Sequence, residues 1–162
     1  MHRCVFLFIA IALCACNANT IDYYIVRHAE KAIVDSSVRS SDVPLSEQGI
    51  KRAEELKDQL RDKDIKFIYS TNTVRTKATA QPLSDAIGIP IKIYDGGDNN
   101  FIQSLRNADG NVVIVGHSNT VDDLVNGLTG KPLLKDLKDD QFGDLFIVHK
   151  RGDNFRLEVS HY

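Results

Sequence analysis

The stretch YYIVRHAEKA, residues 23–32, begins as an apolar run rich in aromatic and β-branched side chains and ends abruptly in Arg27, His28, Glu30 and Lys31. With the two residues before it, the run IDYYIV (21–26) reads as a buried strand. A strand that delivers an arginine and a histidine side by side at its exit points to chemistry at that end. The same layout recurs along the chain. IKFIYS (65–70) leads through STNT to Arg75, IKIY (91–94) leads to Asp95, and NVVIVG (111–116) leads to His117. Helical patterns lie between these runs. PLSEQGIKRAEELKDQLRDK (44–63) has Ser46 at its cap and Ile50, Ala53, Leu56 and Leu60 on one face. TVRTKATAQPLSDAIG (73–88) has Gly88 as its stop and Pro82 as an expected kink. A weak helix is expected around FIQSLRNA (101–108) and a stronger one over TVDDLVNGLTG (120–130). The chain closes with DLFIVHK (144–150) and FRLEVSHY (155–162), joined at Gly152-Asp153-Asn154 as a hairpin. Repeated βα units imply a mainly parallel sheet covered on both faces, and the hairpin adds antiparallel pairing at one edge. The expected fold class is an α/β three-layer sandwich, α/β/α. In such sheets ligands bind beyond the carboxyl ends of the strands.

Composition fits this reading. With 162 residues, 43% apolar and 26% charged, the chain suits one domain around one substantial core. Acidic residues outnumber basic ones 22 to 20, and the basic residues are scattered, which argues against a nucleic-acid partner. The first twenty residues, MHRCVFLFIAIALCACNANT, have a short basic start, an apolar stretch from Val5 to Leu13 and then small residues, the layout of a secretory signal peptide. All three cysteines fall here, so the rest of the chain carries no disulfide framework. LCAC (13–16) resembles the bacterial lipobox, and by that resemblance Cys16 is the lipidated residue. The expected organisation is a lipoprotein-type signal peptide over 1–15, a short tether over 16–20 and one domain over 21–162. The protein is then exported to the cell envelope and meets a bacterial membrane through its lipid anchor only.

Arg27, His28, Arg75 and His117 converge on the carboxyl rim of the sheet. A phosphoryl group uses all four, because guanidinium forks bind its oxygens bidentately and offset its charge. A helix starting near Asn119 or Thr120 would add backbone donors beside His117. Taken singly, His28 and His117 read equally well as ordinary strand-end histidines, and Arg75 as a solvated helix residue.

RHAEK, PLSEQGIKRAEEL, IYSTNTVRTKATAQPL and VVIVGHSN stand in the order and spacing of the histidine phosphatase superfamily, the group that includes phosphoglycerate mutases and bacterial phosphohistidine phosphatases. The chain resembles that family from residue 21 to 162. The resemblance implies that His28 is the nucleophile, transiently phosphorylated and then hydrolysed by water. It makes Arg27 and Arg75 the phosphate clamp and His117 the second histidine on the phosphoryl oxygens. No metal or cofactor is implied, and the sequence holds no close-spaced ligand motif. The mutase-like branch uses a glutamate after the third strand as general acid. IKIYDGGDNN (91–100) offers only Asp95 and, three residues on, Asp98. Asp95 is the better placed candidate, with a turn residue before Gly96-Gly97 as its other reading. Glu30 is left outside the catalytic set. The short connection between the third and fourth strands, residues 95–110, leaves no room for a large lid and predicts hydrolysis of small phosphorylated substrates over mutase transfer. The alternatives are a non-catalytic phosphate-binding lipoprotein and a phosphohistidine protein phosphatase. The sequence does not fix an oligomeric state.

Overall fold

The computed structural model describes residues 20–33, 42–96 and 98–162. The expected signal peptide, Cys16, most of the tether and most of the loop before Pro44 lie outside the described residues. The elements run in chain order as β1 (Thr20–Arg27), α1 (Glu47–Leu60), β2 (Ile65–Ser70), α2 (Val74–Ile87), β3 (Ile91–Ile93), α3 (Asn99–Leu105), β4 (Asn111–Gly116), α4 (Ser118–Thr129), β5 (Asp144–Arg151) and β6 (Asn154–His161). They form one sheet in the order β3-β2-β4-β1-β5-β6. The β3, β2, β4 and β1 pairings are parallel, and β5 and β6 join antiparallel. The fold is the expected α/β sandwich, closed by the β5–β6 hairpin.

The core explains why β1 and β4 carry unbroken apolar runs. Along β1, Ile21, Tyr23 and Ile25 pack with Ile102, Val121, Leu124 and Leu128 of α3 and α4. The alternate residues, Tyr24 and Val26, pack with Leu56, Leu60 and Leu83 of α1 and α2. Val112 and Ile114 of β4 face the first layer, and Val113 and Val115 face the second. A strand apolar on both faces belongs between two helical layers. The chain leaves β1 through α1 on one face and leaves β4 through α4 on the other. Their exits therefore diverge, opening a crevice at the carboxyl ends of these neighbouring strands.

Three helices differ from expectation, α3 by starting two residues before and ending three residues short of FIQSLRNA. Helix α4 starts at Ser118, with His117 itself as the N-cap, one to two residues earlier than the apolar pattern suggested. In α1 the buried stripe is Gly49, Ala53, Leu56 and Leu60, while Ile50 is exposed. The cause is a close approach of backbones. A Cβ at Gly49 would overlap the Glu30 carbonyl oxygen, and that same carbonyl accepts the Ser46 N–H at 2.9 Å. Helix α1 is turned so that its glycine, not its isoleucine, meets the segment following β1. Gly49→Ala is expected to destabilise the fold by about 1–3 kcal/mol in urea unfolding, because backbone and not a flexible side chain must give way. A wild-type midpoint for this variant contradicts that close approach.

Candidate active site

Arg27 is the last residue of β1 and His28 follows it, its N–H donating to the Gly116 carbonyl at the end of β4 (2.9 Å). His117 succeeds Gly116, so the two imidazoles meet edge to face with ring centroids 5.3 Å apart. Arg75 arrives from the first turn of α2, and its Nη2 lies 3.4 Å from His117 Nδ1. All four side chains line one open cavity of about 850 Å³, with Lys31 and Asn119 at its walls. The α4 N–H groups of Ser118 and Asn119 have no intrahelical acceptor and sit at this cavity, a setting suited to an anion.

Hydrogen bonding fixes the ring tautomers. His28 Nδ1 lies 2.7 Å from the Ala29 carbonyl oxygen. A carbonyl only accepts, so Nδ1 carries the proton and Nε2 holds the lone pair. For His117 the logic reverses. A guanidinium only donates, so Nδ1 accepts from Arg75, and Nε2–H donates to Thr71 Oγ1 at 3.1 Å. Thr71 passes the bond to Thr76 Oγ1 (3.1 Å), which donates to the Thr71 carbonyl (2.8 Å). Thr79, fully buried, ties the two halves of the site: it accepts the Ala29 N–H (3.0 Å) and donates to the Arg75 carbonyl (2.8 Å).

Burial is the largest influence on the charge of both rings. It lowers the His28 pKa from 6.5 to about 4, assisted by Arg75, Arg27 and His117 and opposed by the Ala29 carbonyl. His117 is lowered for the same first reason, then by Arg75 and Arg27. Like-charge repulsion from the guanidiniums is a smaller influence than desolvation on both rings.

Arg27 is buried and is not a free fork. Its Nη1 donates to the carbonyls of Lys138 (2.7 Å), Asp139 (3.2 Å) and Gln141 (3.1 Å), and its guanidinium carbon stands 4.3 Å from the centre of the Phe142 ring. The segment responsible, within the 130–143 loop, carries no readable motif. Asp42 is another contributor hidden from the sequence. Its carboxylate accepts the Val74 N–H that opens α2 (2.9 and 3.1 Å) and lies 3.6 Å from Arg75 Nη1.

Asp95 is exposed and is not among the residues lining the cavity, whereas Asp139 is. Asp98 caps α3 by accepting the Asn100 N–H at 2.8 Å. Glu30 forms a two-pronged ion pair with Arg52 of α1 (2.6–2.8 Å), which gives it a structural occupation outside the cavity. Among the described residues no three His, Cys, Asp or Glu side chains gather as metal ligands.

The family model for the histidine phosphatase superfamily, branch 1, matches residues 23–96, which include Arg27, His28 and Arg75. Over these residues the chain is similar to the histidine phosphatase superfamily. Solved structures agree. A SixA protein from Agrobacterium tumefaciens, described as a phosphohistidine phosphatase, superposes with a TM-score of 0.67 at 25% identity, covering 87% of this chain and 97% of its own. Two more distant structures share the fold. The phosphoserine phosphatase of Entamoeba histolytica gives a TM-score of 0.66 at 16% identity, covering 88% of this chain and 98% of its own. A mycobacterial glucosyl-3-phosphoglycerate phosphatase gives 0.66 at 15%, covering 89% and 99%. No curated protein sequence gives a significant match.

The depressed His28 pKa has a consequence for stability. Between pH 6.5 and about 4 the unfolded chain binds a proton at His28 that the folded chain does not, so stability is fully present above pH 6.5 and falls as pH drops through this window. The loss is on the order of 3 kcal/mol at 1.36 kcal/mol per unit. Unfolding midpoints measured from pH 7 to 4 should fall less steeply in His28→Ala than in wild type; parallel slopes would contradict a buried neutral His28.

Proposed function

We propose that this phosphatase hydrolyses small phosphomonoesters by transferring the phosphoryl group to His28 Nε2. The observation that carries the reading is a buried imidazole with its lone pair on Nε2, neutral at physiological pH, sharing one cavity with two guanidiniums. A protonated ring has no lone pair with which to attack phosphorus; this one stays unprotonated down to about pH 4.

In the first step Nε2 forms a bond to phosphorus as the bond to the leaving oxygen breaks. Arg27, Arg75 and the first-turn N–H groups of α4 hold the equatorial oxygens, whose charge the fixed cations stabilise without reorganisation. His117 donates from Nε2 once the incoming oxygen replaces Thr71 as its acceptor. Water then attacks the phosphohistidine, breaking the N–P bond and releasing inorganic phosphate. The short β3–β4 connection favours hydrolysis over transfer between substrate positions. A second reading, removal of phosphate from phosphohistidine on a protein, is favoured by the likeness to the Agrobacterium SixA structure. In either case we read the domain as exported and held to a membrane through Cys16.

With an aryl phosphate, His28→Ala is expected to reduce kcat by at least about a thousandfold and Arg75→Ala by about 10²–10³. A chelator should leave wild-type turnover unchanged. Equal inactivity of wild type and His28→Ala across alkyl phosphates, aryl phosphates and a phosphohistidine peptide would exclude the catalytic reading. Asp95→Asn should leave the ratio of alkyl to aryl turnover as it is, since Asp95 stands outside the cavity lining; a selective loss on alkyl phosphates restores it as the acid. For the anchor, Cys16→Ala should abolish incorporation of labelled fatty acid and release the protein from membranes. Unchanged membrane association in that variant rules out Cys16 as the attachment point.

A further inference from the structure

Arg27 poses a problem that the proposed reaction does not solve. A guanidinium with five donors is buried at the floor of the cavity, and no carboxylate pairs with it within the described residues. Three of its contacts are carbonyl oxygens from one short stretch, Lys138, Asp139 and Gln141, all converging on Nη1. The next residue, Phe142, lays its ring against the guanidinium at 4.3 Å and stands 6.2 Å from the His28 ring without lining the cavity.

This stretch is itself tied down at both ends. Upstream, Asn126 of α4 accepts the N–H groups of Leu133 and Leu134 (2.8 and 2.9 Å) and donates to the Leu134 carbonyl (2.8 Å), and the Leu137 N–H donates to the Ser118 carbonyl (3.1 Å). Internally, Gln141 Oε1 accepts the Lys138 N–H (3.2 Å), while its Nε2 donates to Asp144. Downstream, Gly143 takes φ +80°, a left-handed turn at which a Cβ would lie 2.6 Å from Arg52 Nη1 and 2.9 Å from the Tyr162 carbonyl.

We propose that residues 137–143 form a strap that presents Arg27 to the phosphoryl group through Nη2 alone, with Phe142 as the positioning residue that fixes the guanidinium plane. The proposal rests on the phosphatase reading of the cavity and adds how one of its cations is aimed. Carbonyl dipoles occupy Nη1 without cancelling the charge, and Asp139 and Asp140 of the same strap attract the guanidinium without forming an ion pair with it, so a positive charge remains for the substrate anion. The aromatic face sets the rotation that the carbonyls leave open, and cation–π attraction is strongest where the cation is shielded from water. Arg27 therefore acts as a one-pronged contact, in place of the bidentate fork expected from its sequence position.

The experiment compares wild type, Phe142→Leu and Phe142→Tyr as full chains, measuring inorganic phosphate affinity by calorimetry, KM and kcat on an aryl phosphate, and the unfolding midpoint. Phe142→Leu should weaken phosphate binding and raise KM by about tenfold, and Phe142→Tyr, which keeps the ring, should restore both. Phosphate affinity and KM unchanged in Phe142→Leu, with turnover intact, overturn the strap and leave the phosphatase reading standing. Turnover absent from wild type while phosphate binding still weakens in Phe142→Leu and returns in Phe142→Tyr upholds the strap and removes the enzyme. An equal loss of affinity in both variants, tracking a fall in unfolding midpoint, overturns the positioning role in favour of simple packing.

Discussion

Everything in the site depends on the parallel pairing of β1 with β4. Their register sets Arg27 opposite Gly116, and the His28 N–H extends the ladder one bond beyond the strands to the Gly116 carbonyl. One hydrogen bond thus determines that the residues after the two strands, His28 and His117, lie beside each other. A slip of one residue would move every alternating core side chain to the wrong helical layer, so the register is enforced by the whole of both cores. Gly116 completes the constraint. A Cβ there would overlap Thr120 Oγ1 and come within 2.8 Å of the Tyr94 hydroxyl, so only glycine lets α4 begin immediately after the strand. The Thr120 hydroxyl accepts the His117 N–H at 2.8 Å, which holds the helix start and the second histidine together.

Concentrating two guanidiniums and two imidazoles in one crevice is unfavourable unless each finds partners that preserve its function. The imidazoles become neutral through burial. Arg27 has carbonyls on Nη1 and an aromatic face over its plane, which lower the cost of desolvation without neutralising it, while its buried Nε has no hydrogen-bond partner. Arg75 has Asp42 at 3.6 Å, but that carboxylate also caps α2 and is 40% exposed, so solvent screens its pull on the cavity. The net result is a positive cavity in a chain whose formal net charge is -2. Ion pairs strong enough to steady the fold are kept to one side, as in Glu30–Arg52, where a carboxylate two residues after His28 pins the loop to α1 instead of entering the site.

How far the sequence was legible follows from this physics. β2 and β4 stand where their apolar runs stand, and β1 needed only Thr20 and Arg27 at its margins, because strands buried on both faces announce themselves. The four cavity side chains were legible because each follows a strand end or helix start that the pattern already located. Ile50 was assigned to the wrong face because an apolar residue outweighs glycine in any periodic reading, whereas close backbone approach favours glycine. The 137–143 strap was invisible for a deeper reason. Its contacts are made by backbone carbonyls, which every residue possesses, and its single aromatic has no periodic company. Asp42 and Thr79 act through caps and cross-links between distant segments, which local patterns do not encode.

The crossover from β3 to β4 shows how size limits chemistry. Tyr94 stacks on Phe101 with ring centroids 4.4 Å apart, and Phe101 meets Tyr69 edge to face at 5.0 Å. This aromatic cluster packs α3 against the sheet and spends the available chain on covering the core. With α3 only seven residues long and drawn down in this way, the crossover has nothing left to fold over His28. Among the described residues, nothing of this crossover stands between a phosphohistidine formed at that position and the open cavity. Retaining the phosphoryl group for return to another hydroxyl requires water to be kept out, and the crossover that would have to supply such a cover is already committed to the core. Hydrolysis is thus the outcome that the architecture of this connection favours.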